Sequence, residues 1–217
     1  MSLAFDLFYS FRSPYSYLAT PRILEIARDF DVDVVVRPVY PLAIRDDSFF
    51  DRVDPRWPAY LMRDTTRIAE QLAIPYRWPR PDPVYRDPDT GRYPPDRQPH
   101  IHRLTRMGVA AARRGAGLAF IGAVSALIWG GTQGWNEGTR LADALTAAGL
   151  DAEALEADVR DQGAALESAI TANQQALDAS GHWGVPTMVF EGEPFFGQDR
   201  IELLLWRLRQ HGLEQRA

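Results

Sequence analysis

Neither cysteine nor lysine occurs anywhere in the 217 residues. Without cysteine the chain has no disulfide, no thiolate nucleophile and no cysteine-ligated metal. Without lysine it has no side-chain amine for a Schiff base, and all 24 of its Lys/Arg positions are arginine. Anion recognition therefore falls to the guanidinium group, which suits carboxylates. An excess of one charge is also missing. The net charge of −5 is spread without long runs of one sign, which argues against a nucleic-acid footprint or an anionic membrane surface. The most apolar segment, Leu118 to Trp129, is about a dozen residues, short of the roughly 20 a spanning helix needs, and reads as a buried helix. The opening "MSLAFDLFYS" has no basic stretch ahead of a long apolar run, so a cytoplasmic location is expected.

What is present supports a real core: 46% of residues are hydrophobic, and the length allows one large domain or one domain with a sizeable insertion. "LAFDLFYS" alternates as a strand, with Ala4, Asp6 and Phe8 on one face and Phe5, Leu7 and Tyr9 on the other. A helix follows at once, with Ser13 able to cap and Pro14 at the first helical position. Leu18, Ile23, Leu24, Ala27 and Phe30 form its apolar stripe, and Pro21 should kink it. "DVDVVVRPVY" reads as a second, mostly buried strand. A right-handed β-α-β crossover puts both strands parallel in one sheet, with the Ser13 corner at the carboxyl edge where ligands bind.

Prolines are dense from about Pro55 to Pro99, around a helix in "YLMRDTTRIAEQLAI" and a long loop suited to an active-site cover or to disorder. Five short apolar-periodic segments between His100 and Ser180 read as packed helices. "VPTMVFEGEPFFG" reads as a β-hairpin turning at Glu191-Gly192-Glu193, and a last helix runs from Asp199 to about His211. The order β-α-β, helices, β-β-α defines an α/β, thioredoxin-like fold with a large inserted helical domain. Residues 1–45 and 181–217 form the thioredoxin-like part, and 46–180 the insertion with its proline-rich loop.

Three short motifs carry possible chemistry. In "SPYS", Ser13 and Ser16 stand at the start of the first helix, where a hydroxyl, unpaired N–H groups and the helix dipole can hold a thiolate or oxyanion; the plain alternative is an ordinary N-cap. In "GHWGVPT", Pro186 is either a strand-edge proline or a cis-proline that exposes the backbone of Val185 to an extended ligand. In "FFGQDRIELL", Asp199 and Glu202 are spaced as a capping box, yet Gln198 and Asp199 also offer donors for a carboxylate and a carboxylate for an amine.

These motifs, in this order, give a chain that resembles the 2-hydroxychromene-2-carboxylate isomerases and kappa-class glutathione transferases of the DsbA-like branch of the thioredoxin fold. The resemblance implies that Ser13 faces the sulfur of a glutathione cofactor. It implies that Val185, ahead of a cis-Pro186, pairs with the cysteinyl main chain, and that Gln198 and Asp199 bind the γ-glutamyl group. It implies a homodimer and a small aromatic, carboxylate-bearing substrate. Isomerases of this type hold that carboxylate with a lysine near the end of the second strand; here Arg45 of "YPLAIRDD" stands in the corresponding stretch and could bind it bidentately. The expected reaction is a glutathione-dependent cis-trans isomerisation. The rivals are a kappa-like transferase and a non-catalytic thiol- or peptide-binding protein. Disulfide exchange is excluded because Ser13 and Ser16 replace the needed cysteines.

Other candidates are weaker. His100 and His102 point to different faces of a helix, which disfavours a metal site. His182 lies near the Pro186 loop, and Trp57, Trp78, Tyr85 and Trp183 could wall an aromatic site or simply join the core.

Overall fold

A computed structural model describes residues 3–46 and 48–216. Strand β1 (Leu3–Tyr9) pairs parallel with β2 (Val32–Pro38), and helix α1 (Pro14–Asp29) makes the crossover between them. Strand β3 (Thr187–Phe190) pairs antiparallel with β1 on its other side, and β4 (Glu193–Phe196) pairs antiparallel with β3. The sheet order is β2-β1-β3-β4. The β3–β4 turn is the two residues Glu191 and Gly192, at φ of 49° and 81°, the paired positive angles of a type I′ hairpin turn.

As the central strand, β1 is covered on both faces, and the expected alternation holds. Phe5, Leu7 and Tyr9 enter the main core, whereas Phe8 meets Val39 and Leu177 on the opposite side. Strand β2 differs from the expectation: it lies at the sheet edge and Val35 is 42% exposed, because β-branching reports strand propensity and not position in the sheet. Helix α1 continues through Pro21, with Leu18, Ala19, Ile23 and Ile26 buried along it. Ile26 and Ala19 thus belong to the core stripe, while Leu24, Ala27 and Phe30 lie at its margin.

Between β2 and β3 the chain is helical. Two single-turn helices, α2 (Leu42–Arg45) and α3 (Phe49–Arg52), precede α4 (Trp57–Gln71). After a long irregular stretch come α5 (Ile101–Arg113), α6 (Gly117–Trp129), α7 (Arg140–Ala147), α8 (Ala152–Asp161) and α9 (Gly163–Ala179). Helices α5, α6 and α9 pack on β2 and α6 also on α1, so one hydrophobic cluster runs from Phe5 through Leu104 and Ile170 to Leu204. Glycines permit the closest approaches: a Cβ at Gly117 would lie 2.9 Å from Val36 Cβ, and one at Gly108 would lie 2.9 Å from the Phe11 ring. The last helix, α10 (Ile201–Gln210), follows a 3-10 turn over Gln198–Arg200. Among the described residues no helix is long and apolar enough to cross a membrane.

The long stretch after α4 is tied to the rest of the fold at several points. Its start is fixed by Arg77 N–H donating to the Trp129 carbonyl (2.8 Å) and by Tyr17 Oη donating to the Pro75 carbonyl. Farther along, Trp135 Nε1 donates to Pro81 O (2.8 Å), next to a cis Arg80-Pro81 bond. Gln98, only 6% exposed, closes the end of the loop by bonding Tyr85 N–H (2.9 Å), Tyr85 O (3.0 Å) and Pro94 O (2.9 Å).

Candidate active site

Leaving β1 at Tyr9, the chain turns through residues 10–13, where Ser13 N–H donates to Ser10 O (3.1 Å). Phe11 anchors this corner: fully buried, it packs edge-on against Tyr9 and Phe120, and its carbonyl accepts from Trp129 Nε1 (3.0 Å). Arg12 holds it from the other side. Its guanidinium meets Asp82 through two bonds, of 3.2 and 3.0 Å, and lies 5.2 Å from the centre of the Trp78 ring. Asp82 lifts the Arg12 pKa against the downward pull of burial.

Ser13 is the N-cap of α1, with Pro14 next, and its Oγ accepts Ser16 N–H at 3.1 Å. The same hydroxyl donates to Val185 O at 3.2 Å, and the Val185-Pro186 bond is cis. The capping role and the approach to the proline loop therefore coexist in one side chain. Tyr15 N–H and Val185 N–H have no partner among the described residues, which leaves one unpaired donor at the helix end and one on the proline loop. Ser16 behaves otherwise than expected of a ligand group: it is 0% exposed, and only its backbone N–H takes part. Its Oγ, like that of Ser10, is buried without a hydrogen-bond partner among the described residues.

The proline loop is braced from within. Gly184 N–H donates to His182 Nδ1 (2.9 Å), and the imidazole stacks on Phe196 with centroids 3.8 Å apart. His182 must present a bare Nδ1 to accept that bond, and burial pulls its pKa below the usual histidine value. Thr187 Oγ1 donates to Gly184 O (2.8 Å), and Gly197 N–H to Pro186 O (2.9 Å), which ties the loop to the turn before α10. In that turn the expected capping box is not formed: Gly197 adopts φ of 103°, a 3-10 turn intervenes, and Asp199 pairs with its neighbour Arg200 (3.0 Å). Gln198 instead faces Arg22 of α1, which donates to its backbone carbonyl at 2.6 Å and also to its side-chain oxygen.

Arg45 lies at the end of α2, beside the same loop. Nε donates to Tyr40 O (2.7 Å) and Nη2 to Trp183 O (2.8 Å), so the two nitrogens suited to a bidentate carboxylate are held by backbone carbonyls. Its Nη1 has no partner among the described residues. Arg45 also lines a cleft of about 530 Å³ with Leu42, Phe49, Arg52, Asp178 and Trp183. Trp183 and Val185 are two positions apart, so cleft and Ser13 corner share one strand of backbone no longer than about 7 Å.

The four aromatics do not form one wall. Trp183 and Trp57 both meet Phe49, with centroids 5.5 and 6.2 Å away, and Phe49 was not foreseen. Trp78 packs on Trp129 near the corner, and Tyr85 contacts Arg97. His100 lies against Trp135 and His102 against Tyr40. Among the described residues no three His, Asp or Glu side chains gather as a metal site.

A parallel β-α-β joined to an antiparallel hairpin, with a helix N-terminus facing a cis-proline, is the thioredoxin fold and its ligand edge. The DSBA-like thioredoxin domain pattern matches residues 4–209, and the chain belongs to that family. Among solved structures it is similar to a 2-hydroxychromene-2-carboxylate isomerase, at 21% identity and TM-score 0.67, covering 96% of this chain and 95% of that one. A probable DsbA oxidoreductase from Streptomyces coelicolor aligns at 20% identity and TM-score 0.67, over 96% and 89% of the two chains. The cytosolic disulfide reductase DsbM from Pseudomonas aeruginosa, solved with GSH, aligns at 18% identity and TM-score 0.59, over 95% and 100%. No curated protein sequence is significantly similar.

Proposed function

We propose that this family member is a glutathione-dependent isomerase of the 2-hydroxychromene-2-carboxylate type. The observation that carries the reading is the Ser13 hydroxyl, seated on the N-terminus of α1 and 3.2 Å from the carbonyl that precedes cis-Pro186. In a chain without cysteine, that corner has the donors for a thiolate and none of its own to hold. The residues fit the cofactor: Val185 offers a backbone N–H and C=O to the cysteinyl unit, and Gln198 and Asp199 offer a donor and a carboxylate to an amino-acid end. Two of the similar structures are consistent with it, one by its isomerase activity and one by its bound GSH.

Glutathione held at this corner would supply a thiolate for reversible addition to a conjugated carbon, the chemistry that a cis-trans isomerisation needs. The protein's part is to ionise and position. Ser13 has one proton, now given to Val185 O; turning it toward the sulfur frees that carbonyl to accept an N–H from the cofactor. Ser16 N–H continues to hold Ser13 Oγ and fixes the direction of the turn. A lowering of the thiol pKa by about two units corresponds to roughly 2.7 kcal/mol of thiolate stabilisation. The substrate carboxylate is met by Arg45 Nη1, while Trp183 and Phe49 flank the ring.

Ultraviolet titration of glutathione thiolate with wild type and Ser13→Ala tests the reading. Ionisation of bound glutathione near neutral pH, lost in the variant, supports it; no binding, or binding without ionisation, overturns it. Product analysis with an aromatic conjugated carboxylate then separates isomerisation from accumulation of a stable conjugate.

A further inference from the structure

Resting on the glutathione reading, we infer that Arg22 is a positioning residue that turns the Gln198 amide toward the amino-acid end of the cofactor and thereby sets selectivity for a γ-glutamyl group. Arg22 lies on α1, well beyond the Ser13 corner, and reaches Gln198 across 176 positions of sequence. It grips both oxygens of that residue, the backbone carbonyl at 2.6 Å and the side-chain Oε1.

A guanidinium can only donate, so the amide facing it must present oxygen, and its NH₂ must point elsewhere. That NH₂ has no partner among the described residues. Its neighbour Asp199 is exposed, and its carboxylate pairs with the exposed Arg200 head at 3.0 Å. An outward amide donor beside an accessible carboxylate matches the carboxylate and ammonium of one amino acid. The turn carrying both groups is held in register with the cofactor's other contacts, because Gly197 N–H bonds to Pro186 O at 2.9 Å.

Packing alone does not explain an arginine here. Its Nε is buried without a partner among the described residues, and burial lowers its pKa despite nearby Glu202, Asp199 and Glu25. An aliphatic side chain of similar length would fill the same space without that cost. What the guanidinium supplies is a hold on both the Gln198 backbone carbonyl and its amide oxygen, and the second of these fixes the direction of the amide.

The test measures affinity for glutathione and for cysteinylglycine, which keeps the thiol and lacks the γ-glutamyl unit, in wild type, Arg22→Met, Gln198→Ala and the double variant. Wild type should prefer glutathione, and Arg22→Met should weaken glutathione at least about tenfold, the size of one charge-assisted hydrogen bond, with cysteinylglycine unchanged. If Arg22 acts through the Gln198 amide, Arg22→Met should cost much less glutathione affinity in the Gln198→Ala background than in wild type, any small remainder coming from its bond to the backbone carbonyl of residue 198. Equal weakening of both thiols, or additive losses, would overturn the positioning role while leaving the glutathione reading intact. Failure of wild type to bind either thiol overturns both together. Gln198→Ala leaves α1 untouched, so a loss of fold in Arg22→Met does not spare the inference: retained γ-glutamyl preference in Gln198→Ala sinks it.

Discussion

Ser13 Oγ stands between the N-terminus of α1 and the cis-proline loop, accepting from Ser16 N–H at 3.1 Å and donating to Val185 O at 3.2 Å. One hydroxyl thus joins two segments that lie 172 positions apart. A thiol introduced at this point would feel the same N–H groups and the same helix dipole.

Ser13→Cys therefore becomes a probe of the site that needs no cofactor. The new cysteine is the chain's sole thiol, so alkylation rate against pH reports it alone. Its pKa should fall at least one unit below the free value of about 8.5. A thiol that titrates at or above that value would show that the corner does not stabilise sulfur anions.

Much of this was legible in the sequence because it is local. Ser13 followed by Pro14 marks a helix start, Glu191-Gly192-Glu193 marks a hairpin turn although Glu193 proves to be the first residue of β4, and apolar periodicity marks α5 to α9. What was not legible depends on contacts across the fold. The single-turn helices α2 and α3 are too short to show a period. The Asp199/Glu202 spacing suggests a capping box, but Gly197 turns the chain so that a 3-10 turn forms first. Arg45 reads as a free carboxylate fork, and only the folded chain shows Tyr40 O and Trp183 O in its grip.

Gly184 is required by contact. A Cβ there would lie 2.3 Å from Phe196 Cε2 and 3.0 Å from His182 Cε1. Gly184→Ala should push the stacked pair apart and destabilise the protein by about 1–3 kcal/mol, the usual cost of overpacking. Combining it with Phe196→Ala should return part of that loss, since the clashing ring is then gone. Denaturant unfolding of the single and double variants checks this, and an additive second loss would rule the clash out.

Acid should loosen the molecule through its histidines. Burial lowers the pKa of His100, His102 and His182, so each protonates more readily in the unfolded chain. As pH falls through about 6.5, the unfolded state gains protons that the folded state resists, and stability declines until the lower folded pKa values are passed. Protonation of His182 at Nδ1 also removes the acceptor for Gly184 N–H. Melting temperature should drop as pH is lowered below about 6.5, and less steeply in His182→Asn. An unchanged slope in that variant would remove His182 from the account.

The bond between Arg12 and Asp82 ties the proline-rich loop directly to the Ser13 corner, beside the backbone bonds that fix the loop elsewhere. The two side chains are only 18% and 28% exposed, and Asp82 Oδ1 also accepts Val84 N–H at 2.9 Å. Asp82→Ala leaves the Arg12 cation with the Trp78 face as its remaining contact and opens the turn at Val84. The loss should be about 1.5–3 kcal/mol, as for hydrogen bonds to charged groups. A double-mutant cycle with Arg12→Leu should then show that most of this is coupling between the pair. Loop release has its own readout, because a protease that cuts after arginine, except before proline, finds Arg77, Arg86, Arg92 and Arg97 in this stretch. Cleavage there should accelerate in Asp82→Ala while cuts elsewhere keep their wild-type rate. Faster digestion throughout the chain would point instead to global unfolding, and the anchor would then be a contributor to overall stability with no particular hold on the loop.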